Sequence, residues 1–344
     1  VAGGGTAGGL LEQVQKILDG QLLLFLTGNV HCDAALMHHD QPVAVGNGIL
    51  HVVGDHQGRQ LMTGNDLIGQ FQNLGRDRMQ AMLISQLNDL QKDGINAIFF
   101  QVRVEGDALY PSQLEPWSRY LTGQQGLPPN PYWDPLEWMI TQCHARGMEL
   151  HAWINPYRAK TKCTTALAAT HEYTRHPDRF FNYDGLFLFD PGRPENRDYI
   201  CKVTCDIVSR YDVDGIHIDD YFYPYPVAGV AIPDDASYNA YGAGMNRGDW
   251  RRKNVNMFME QMCRQIREVK PWVKFGVSPF GIYRNQKSDP EGSMTNGLQN
   301  YDDLYADILT VTANDILNKF GKPDVIWASP DCSTFSIAAI TTYS

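Results

Sequence analysis

The chain has 344 residues, of which 43% are hydrophobic and 11% aromatic, enough for one large core or two ordinary domains. It carries 29 basic and 39 acidic residues, a net charge of -10, and its Lys and Arg form no concentrated patch, so nucleic acid is not an expected partner. The seven cysteines include no CxxC pair and no Cys/His cluster at zinc spacing, so we predict no disulfide framework, no metal and no cofactor.

Residues 1–75 are rich in Gly, His and Gln and show little periodicity. Apolar spacing favours one helix over Leu10–Leu18, and the longest apolar run, Leu22–Leu26, is far too short to span a membrane. No basic stretch stands at Val1 ahead of an apolar run, so no signal peptide is recognised. We predict an atypical segment here, poorly ordered or packed outside a barrel.

Residues 76–307 alternate helical patterns with short apolar runs four times. Helices are predicted over Met79–Asp93, Pro135–Arg146, Asn196–Tyr211 and Asn254–Val269, and strands over Ile95–Val102, Met148–Ile154, Val213–Ile218 and Trp272–Ser278. Apolar runs of this length between helices indicate parallel strands that are buried on both faces. The repetition favours an α/β fold, a TIM-type (β/α) barrel of which four units are recognisable.

Residues 308–344 form a second atypical segment with a helix-like stretch and a Ser/Thr-rich tail. Within it, Asp324–Ala338 (DVIWASPDCSTFSIA) resembles the strand and nucleophile loop of phage cytosine-5 DNA methyltransferases, with Cys332 as the nucleophile. The Gly3–Gly8 segment (GGGTAG) fits GxGxxG, but only two residues precede it, too few for the strand that a cofactor loop requires. A short buried strand that ends in a polar loop is the preferred interpretation of the tail.

Polar side chains stand where the predicted barrel strands end, which is where parallel barrels carry their reactive residues. Side chains alternate along a strand, so each strand presents one set on one face. The sets are Phe99, Gln101, Arg103 and Glu105; His151, Trp153, Asn155 and Tyr157; His217, Asp219 and Tyr221; and Ser278 at the last strand end. Each residue alone has an ordinary structural explanation, such as a core histidine or an ion pair. Their convergence at one end favours a cleft.

The segment Asp212–Pro226 (DVDGIHIDDYFYPYP) carries the sharpest functional signal. Two adjacent carboxylates, Asp219 and Asp220, end a buried strand and are followed by four aromatics and two prolines. Aromatic rings stack on the apolar faces of sugars, and a carboxylate at a strand end suits proton donation or charge stabilisation. Alternation points Asp219 inward with His217 and turns Asp220 toward a neighbouring helix or loop. Capping of the following turn is the structural alternative for the pair.

Four long stretches resemble the glycoside-hydrolase-like 10 family. They are GINAIFFQVRVEGDALYPSQLEPWSRYLTG (Gly94–Gly123), GMELHAWINPYR (Gly147–Arg158), VDGIHIDDYFYPYP (Val213–Pro226) and FGVSPFGIYRN (Phe275–Asn285). The resemblance implies a bacterial envelope protein, often a lipoprotein in this family, with a TIM-barrel catalytic domain. It further implies hydrolysis of glycan strands, with peptidoglycan as the expected substrate and the cell envelope or periplasm as the expected location.

The resemblance also implies which residues line the cleft. They are Arg103, Glu105, Asp107, Asn155, Tyr157, Arg158, His217, Asp219, Asp220, Tyr221 and Arg284. Asp219 is the first choice for a catalytic carboxylate, and Glu105 or Asp220 is its expected partner. The strand ends and the aromatic segment add His151, Trp153, Tyr223 and Ser278 as expected substrate contacts.

The leading hypothesis is a carbohydrate-active hydrolase that uses two carboxyl groups. One protonates the glycosidic oxygen while the other stabilises the anomeric carbon or activates water, and their separation decides between retention and inversion. The second hypothesis is a glycan-binding barrel protein without turnover, and the third is a fragment of a cytosine-5 DNA methyltransferase. The expected partner is an oligosaccharide or a peptidoglycan glycan, with no transmembrane segment.

Overall fold

A computed structural model describes residues 23–26, 76–162, 164 and 166–308. Several sequence predictions lie outside these residues, namely the helix at Leu10–Leu18, the Gly3–Gly8 segment and the region around Cys332. The division of the chain at residues 75 and 307 stays a prediction for the same reason.

The described strands belong to two sheets. In chain order they are β1 (Leu23–Leu26), β2 (Ala97–Arg103), β3 (Glu149–Ile154), β4 (Arg158–Lys160), β5 (Phe180–Tyr183), β6 (Leu186–Phe189), β7 (Gly215–Ile218) and β8 (Lys274–Val277). The larger sheet has the order β1-β2-β3-β7-β8, and every neighbouring pair in it is parallel. The predicted α/β class is therefore confirmed. Among the described strands, β1 and β8 are the two edges of this parallel sheet.

Helices alternate with the parallel strands. The described helices are α1 (Arg76–Lys92), α2 (Arg119–Thr122), α3 (Pro135–His144), α4 (Glu172–Arg175), α5 (Pro194–Arg210), α6 (Asp235–Tyr241) and α7 (Arg247–Val269), with a 3₁₀ turn at Pro177–Arg179. The four long ones, α1, α3, α5 and α7, precede β2, β3, β7 and β8, which confirms the four predicted units. Across the described residues, none of the helices has both the length and the apolar character that crossing a bilayer requires.

The last of these helices begins earlier than the sequence analysis predicted. The apolar pattern placed its start at Asn254, whereas α7 begins at Arg247. Asn246 caps it, because its side chain accepts hydrogen bonds from the backbone N–H groups of Gly248 and Asp249. An Asn ahead of a helix is a recognised start signal, and the capping residue outweighed the polar composition of the first turns.

Strand register confirms which side chains share a face of the sheet. Trp153 of β3 pairs with His217 of β7, and Phe99 of β2 pairs with His151 of β3 one row below. The Phe99 ring centroid lies 4.7 Å from that of His151 and 4.8 Å from that of His217. Alternation along the strands thus predicted this shared face correctly. The opposite face carries fully buried aliphatic residues, including Ile98 and Leu150, and α3 packs against β2 and β3.

Gly215 in β7 provides the space that the His151 ring fills. A Cβ at this position would overlap His151 Nδ1 and lie 2.7 Å from Cε1. The ring cannot easily withdraw, because its Nε2 lies 3.0 Å from Glu149 Oε2, and Lys274 Nζ contacts the same carboxylate.

We expect Gly215→Ala to lower the free energy of unfolding by about 1–3 kcal/mol, as overpacking of a core does. Urea denaturation measures it. The matched control is Gly248→Ala in the first turn of α7, where the nearest atom to an added Cβ lies 3.3 Å away. Equal stability of the two variants would contradict the close packing of His151 on Gly215.

The smaller sheet is an antiparallel insertion that the sequence analysis did not predict. Its order is β4-β6-β5, and it lies in the long connection between β3 and α5. Asp184 and Gly185 connect β5 to β6, with φ angles of 49° and 82°. Asp-Gly between two apolar runs is a standard hairpin signal, since both positions require a left-handed backbone. The signal was therefore present in the sequence.

The N-terminal segment contributes one strand to the larger sheet. Leu23–Leu26 pairs in parallel with Ala97–Phe100 of β2. This part of the segment therefore lies in the sheet, whereas the sequence analysis expected the segment to be poorly ordered or packed outside a barrel. A short apolar run satisfies the backbone groups that the edge of β2 exposes, and this pairing outweighs the weak periodicity around it.

Candidate active site

Asp219 and Asp220 directly follow β7, at the carboxyl ends of the parallel strands. Asp220 has a φ angle of 40°, in the left-handed region that non-glycine residues seldom occupy. The chain therefore turns sharply after Asp219, and Asp220 contacts the loop after β3. The alternation of side chains along the strand predicted that Asp220 faces a neighbouring helix or loop. The residues it meets there belong to the predicted cleft as well.

Three donors hold the carboxylate of Asp220. Arg158 Nη2 donates to Oδ2 at 2.8 Å, Asn155 Nδ2 donates to the same oxygen at 3.2 Å, and the Tyr225 hydroxyl donates to Oδ1 at 3.3 Å. An ionised carboxylate accepts such hydrogen bonds strongly, above all from a guanidinium. Asn155 is itself fixed, because its Oδ1 accepts from the backbone N–H of Arg158 at 2.9 Å. Tyr225 was missed by the sequence analysis, although it is the fourth aromatic of the Asp212–Pro226 segment.

Asp219 has very different surroundings. Its Oδ1 is buried and has no hydrogen-bond partner among the described residues. Burial above all, together with the negative charge of Asp220, raises the pKa of Asp219 to about 8 against the opposing effects of Arg158 and the Trp153 indole. The Asp219 carboxyl is therefore mostly protonated at neutral pH and can donate a proton.

His217 and Ser278 form a hydrogen-bonded pair beside these carboxylates. His217 Nε2 lies 2.8 Å from Ser278 Oγ, and the Ser278 backbone N–H donates to Ile218 O at 2.9 Å, which joins the ends of β7 and β8. Burial lowers the pKa of His217 to about 3, with a further contribution from His151. The imidazole is therefore neutral. It can fix the orientation of the Ser278 hydroxyl.

Glu105 lies in a separate buried network after β2. Arg119 Nε donates to Oε2 at 3.1 Å, and the hydroxyls of Thr161 and Thr164 donate to Oε1 at 2.7 and 2.8 Å. Burial raises the pKa of Glu105, but the hydrogen bond and charge of Arg119 and the two threonines bring it below its usual value. Glu105 is therefore an ionised, fully engaged carboxylate. A proton-donor role does not fit this geometry.

Asp107 faces the same network. Its Oδ1 accepts from the backbone N–H of Glu105 at 3.1 Å, and its Oδ2 accepts from Gln125 Nε2 at 3.1 Å. Burial raises the pKa of Asp107, and the charge of Glu105 adds to that increase. The carboxylates of Glu105 and Asp107 thus stabilise the conformation of the loop after β2.

Arg103 is fully enclosed and does not face a cleft. Its guanidinium binds Glu115 through Nε at 2.9 Å and Nη2 at 2.7 Å, and its Nη1 donates to the backbone oxygens of Asn155 and Pro156. The pairing of β2 with β3 shifts between Gln101 and Arg103, so alternation does not extend to the strand end. Arg103 therefore supports the end of β3 from within, whereas the sequence analysis expected a sugar contact.

Several other predicted contacts are also packed inside the fold. The Tyr157 ring lies 5.3 Å from that of Phe258 of α7, and the Tyr223 hydroxyl accepts from Asn254 Nδ2 at 3.1 Å. Tyr221 is buried too. Arg284, in the loop after β8, binds the carboxylates of Asp289 and Asp302. The residues that the structure brings together around Asp219 and Asp220 are Trp153, Asn155, Arg158 and Tyr225. The His217–Ser278 pair joins the neighbouring ends of β7 and β8.

Comparison with known proteins identifies a matching family and several relatives, among them two bacterial proteins. The model of the family described as "Glycosyl hydrolase-like 10" matches residues 62–340. Glycosyl hydrolase YngK of Bacillus subtilis (strain 168) is 48% identical over 229 residues, which cover 65% of this chain and 44% of that protein. Glycosyl hydrolase DigH of Escherichia coli (strain K12) is 39% identical over 263 residues, which cover 73% of this chain and 59% of that protein. The chain thus spans about half the length of these relatives.

Among solved structures, alpha-L-fucosidase isoenzyme 2 from Paenibacillus thiaminolyticus aligns with a TM-score of 0.43 and 15% sequence identity. The alignment covers 60% of this chain and 30% of that one.

Proposed function

Because the chain belongs to the glycosyl hydrolase-like 10 family, we propose that it hydrolyses glycosidic bonds with the carboxyl groups of Asp219 and Asp220. One observation carries this proposal. A buried carboxyl that keeps its proton at neutral pH, Asp219, adjoins a carboxylate that three donors hold, Asp220. Glycoside hydrolysis requires one carboxyl group of each kind.

The two groups divide the reaction between them. Asp219 donates its proton to the glycosidic oxygen while the bond from that oxygen to the anomeric carbon breaks. Asp220 stabilises the positive charge that develops on the sugar ring or removes a proton from the attacking water. The water oxygen ends on the anomeric carbon as a hydroxyl. The other water proton, taken up by Asp220 or by solvent, passes to Asp219, which restores the acid form of Asp219 and the ionised form of Asp220. Asn155, Arg158 and Tyr225 keep the Asp220 carboxylate in place throughout.

We extend the proposal to bacterial glycan, with peptidoglycan strands as the first substrate to test. Both relatives are bacterial proteins that are named glycosyl hydrolases, which supports a bacterial polysaccharide as the substrate class. Peptidoglycan lies in the cell envelope. We therefore propose the envelope or periplasm as the place of action.

The direct test is release of reducing ends from isolated peptidoglycan glycan strands. We expect a steady increase in reducing ends with wild-type protein and none with heat-denatured protein. Sedimentation of the same polymer reports binding separately. Binding without any release would contradict hydrolysis and favour a glycan-binding protein instead.

The pH dependence of kcat/KM tests the role of Asp219. We expect activity to fall as pH rises through about 8, because the proton that Asp219 donates is lost above its pKa. Arg158 lowers that pKa, so in an Arg158→Gln variant the basic limb should move to higher pH, even if the overall rate is reduced. A basic limb that stays at the wild-type pH in this variant would contradict the assignment of that limb to Asp219.

A further inference from the structure

An aromatic pair with one exposed ring lies in the long connection between β2 and α3. Tyr132 exposes 62% of its surface, and nearby in sequence Leu127 exposes 46%. The ring of the half-buried Trp117 lies edge-on to Tyr132, with centroids 6.0 Å apart and planes at 86°. Large apolar groups that remain in contact with water, next to a second ring, indicate a binding surface rather than a part of the core.

The loop places this pair at the same end of the parallel strands as the carboxylates of Asp219 and Asp220. The loop follows the carboxyl end of β2. Asp219 and Asp220 follow the carboxyl end of β7, a strand of the same parallel sheet. Trp272 provides a useful contrast. It exposes 68% of its surface but lies just before the amino end of β8, which is the opposite end of the parallel strands.

The backbone of the loop is fixed on both sides of Trp117. Ala108 and Trp117 form an isolated bridge, within which the Ser118 N–H donates to Ala108 O at 2.8 Å. The Gly126 N–H donates to Trp117 O, also at 2.8 Å. Tyr132 stands two residues before Asp134, whose side chain caps α3. The rings are therefore presented by a stiff loop, which reduces the entropy lost when a ligand binds.

Two ion pairs with buried carboxylates secure this loop, one on each side of Trp117. Glu115 binds Arg103 with neither side chain exposed, and Arg119 binds Glu105 at 3.1 Å. Removing paired charges from water often contributes nothing to stability, so such pairs are better explained by the geometry that they specify.

The Arg103–Glu115 pair also connects the loop with Asp220. Arg103 donates to the backbone oxygen of Asn155, and the Asn155 side chain donates to Asp220. The position of Trp117, two residues from Glu115, is thus coupled to Asp220 through a short series of direct contacts.

We propose that Trp117 and Tyr132 form a stacking subsite for a sugar ring of the glycan that lies beyond the bond being cleaved. The apolar face of a pyranose fits an exposed tyrosine ring, and a rigid subsite at the same end of the strands as the carboxylates would make the protein favour long glycan chains. The proposed function supplies the ligand class, so the subsite deepens that proposal.

The test is a binding measurement on the Asp219→Asn chain, in which turnover does not interfere. Calorimetry would compare a short and a long soluble oligomer of N-acetylglucosamine. We expect the long oligomer to bind more tightly, and Tyr132→Ala to weaken its binding about three- to tenfold while leaving the short oligomer unaffected. Tyr132→Phe keeps the ring and should retain the affinity. Trp272→Ala, at the opposite end of the strands, should leave the affinity for both oligomers unchanged.

The outcomes separate the two proposals. Equal binding of the long oligomer with and without Tyr132→Ala overturns the subsite, as does a failure of the long oligomer to bind. Selective weakening by Tyr132→Ala supports it. If the weakening occurs but the wild-type chain never releases reducing ends, the subsite stands and the hydrolase proposal fails.

Discussion

Replacing Asp219 by Asn is expected to reduce glycan hydrolysis by about 10²- to 10⁴-fold, the usual contribution of a general acid. The amide has nearly the shape of the carboxyl but cannot protonate the leaving oxygen. Release of reducing ends measures the loss, and sedimentation with the polymer should show unchanged binding. Asp212→Asn is the matched control, because Asp212 belongs to the same segment but is exposed and precedes β7.

The same variant carries a second readout that does not depend on substrate. The folded state raises the pKa of Asp219 to about 8 from an unfolded value of about 3.9, so the contribution of this group to stability falls as pH rises between those values. Asn at this position does not titrate and should remove that slope. Urea denaturation at about pH 5 and about pH 8 detects the difference. A folded variant that keeps wild-type hydrolysis would rule out Asp219 as the proton donor.

Glu115→Gln is expected to lower the free energy of unfolding by about 3–5 kcal/mol, the range seen when one member of a buried ion pair is removed. Arg103 would then keep its charge without exposure to water and without its only carboxylate among the described residues. Urea denaturation gives the value. Asp89→Asn is the control, since Asp89 and Lys92 form an exposed pair whose loss should change stability little.

A double variant separates the charge from the packing. Arg103→Met combined with Glu115→Leu removes both charges and should recover much of the stability that Glu115→Gln loses. If Glu115→Gln is as stable as wild type, the pair is not the element that fixes the loop after β2. The stacking subsite would then lose its physical support.

Features that depend on local periodicity could be predicted from the sequence. Apolar spacing located the four β/α units, and alternation placed His151, Trp153 and His217 on one face because a strand repeats every two residues. Adjacent carboxylates at a strand end also drew attention to Asp219 and Asp220 before any geometry was known.

Features that depend on a distant partner or on a single torsion could not be predicted in the same way. The enclosure of Arg103 depends on Glu115, and no local pattern identifies that pairing. Tyr225 reaches Asp220 only because the backbone turns at residue 220. Glu105 carries the same chemical group as Asp219, yet Arg119 and two threonines give it the opposite protonation tendency.

The left-handed torsion at Asp220 creates asymmetry from two identical side chains. Consecutive aspartates share one chemistry, and in a regular strand they would simply face opposite sides. Here the bend leaves the first near an indole and sheltered from water, and delivers the second to a guanidinium, an amide and a phenol. The two carboxyl groups are thus distinguished by the course of the main chain, and amino-acid identity alone does not separate them.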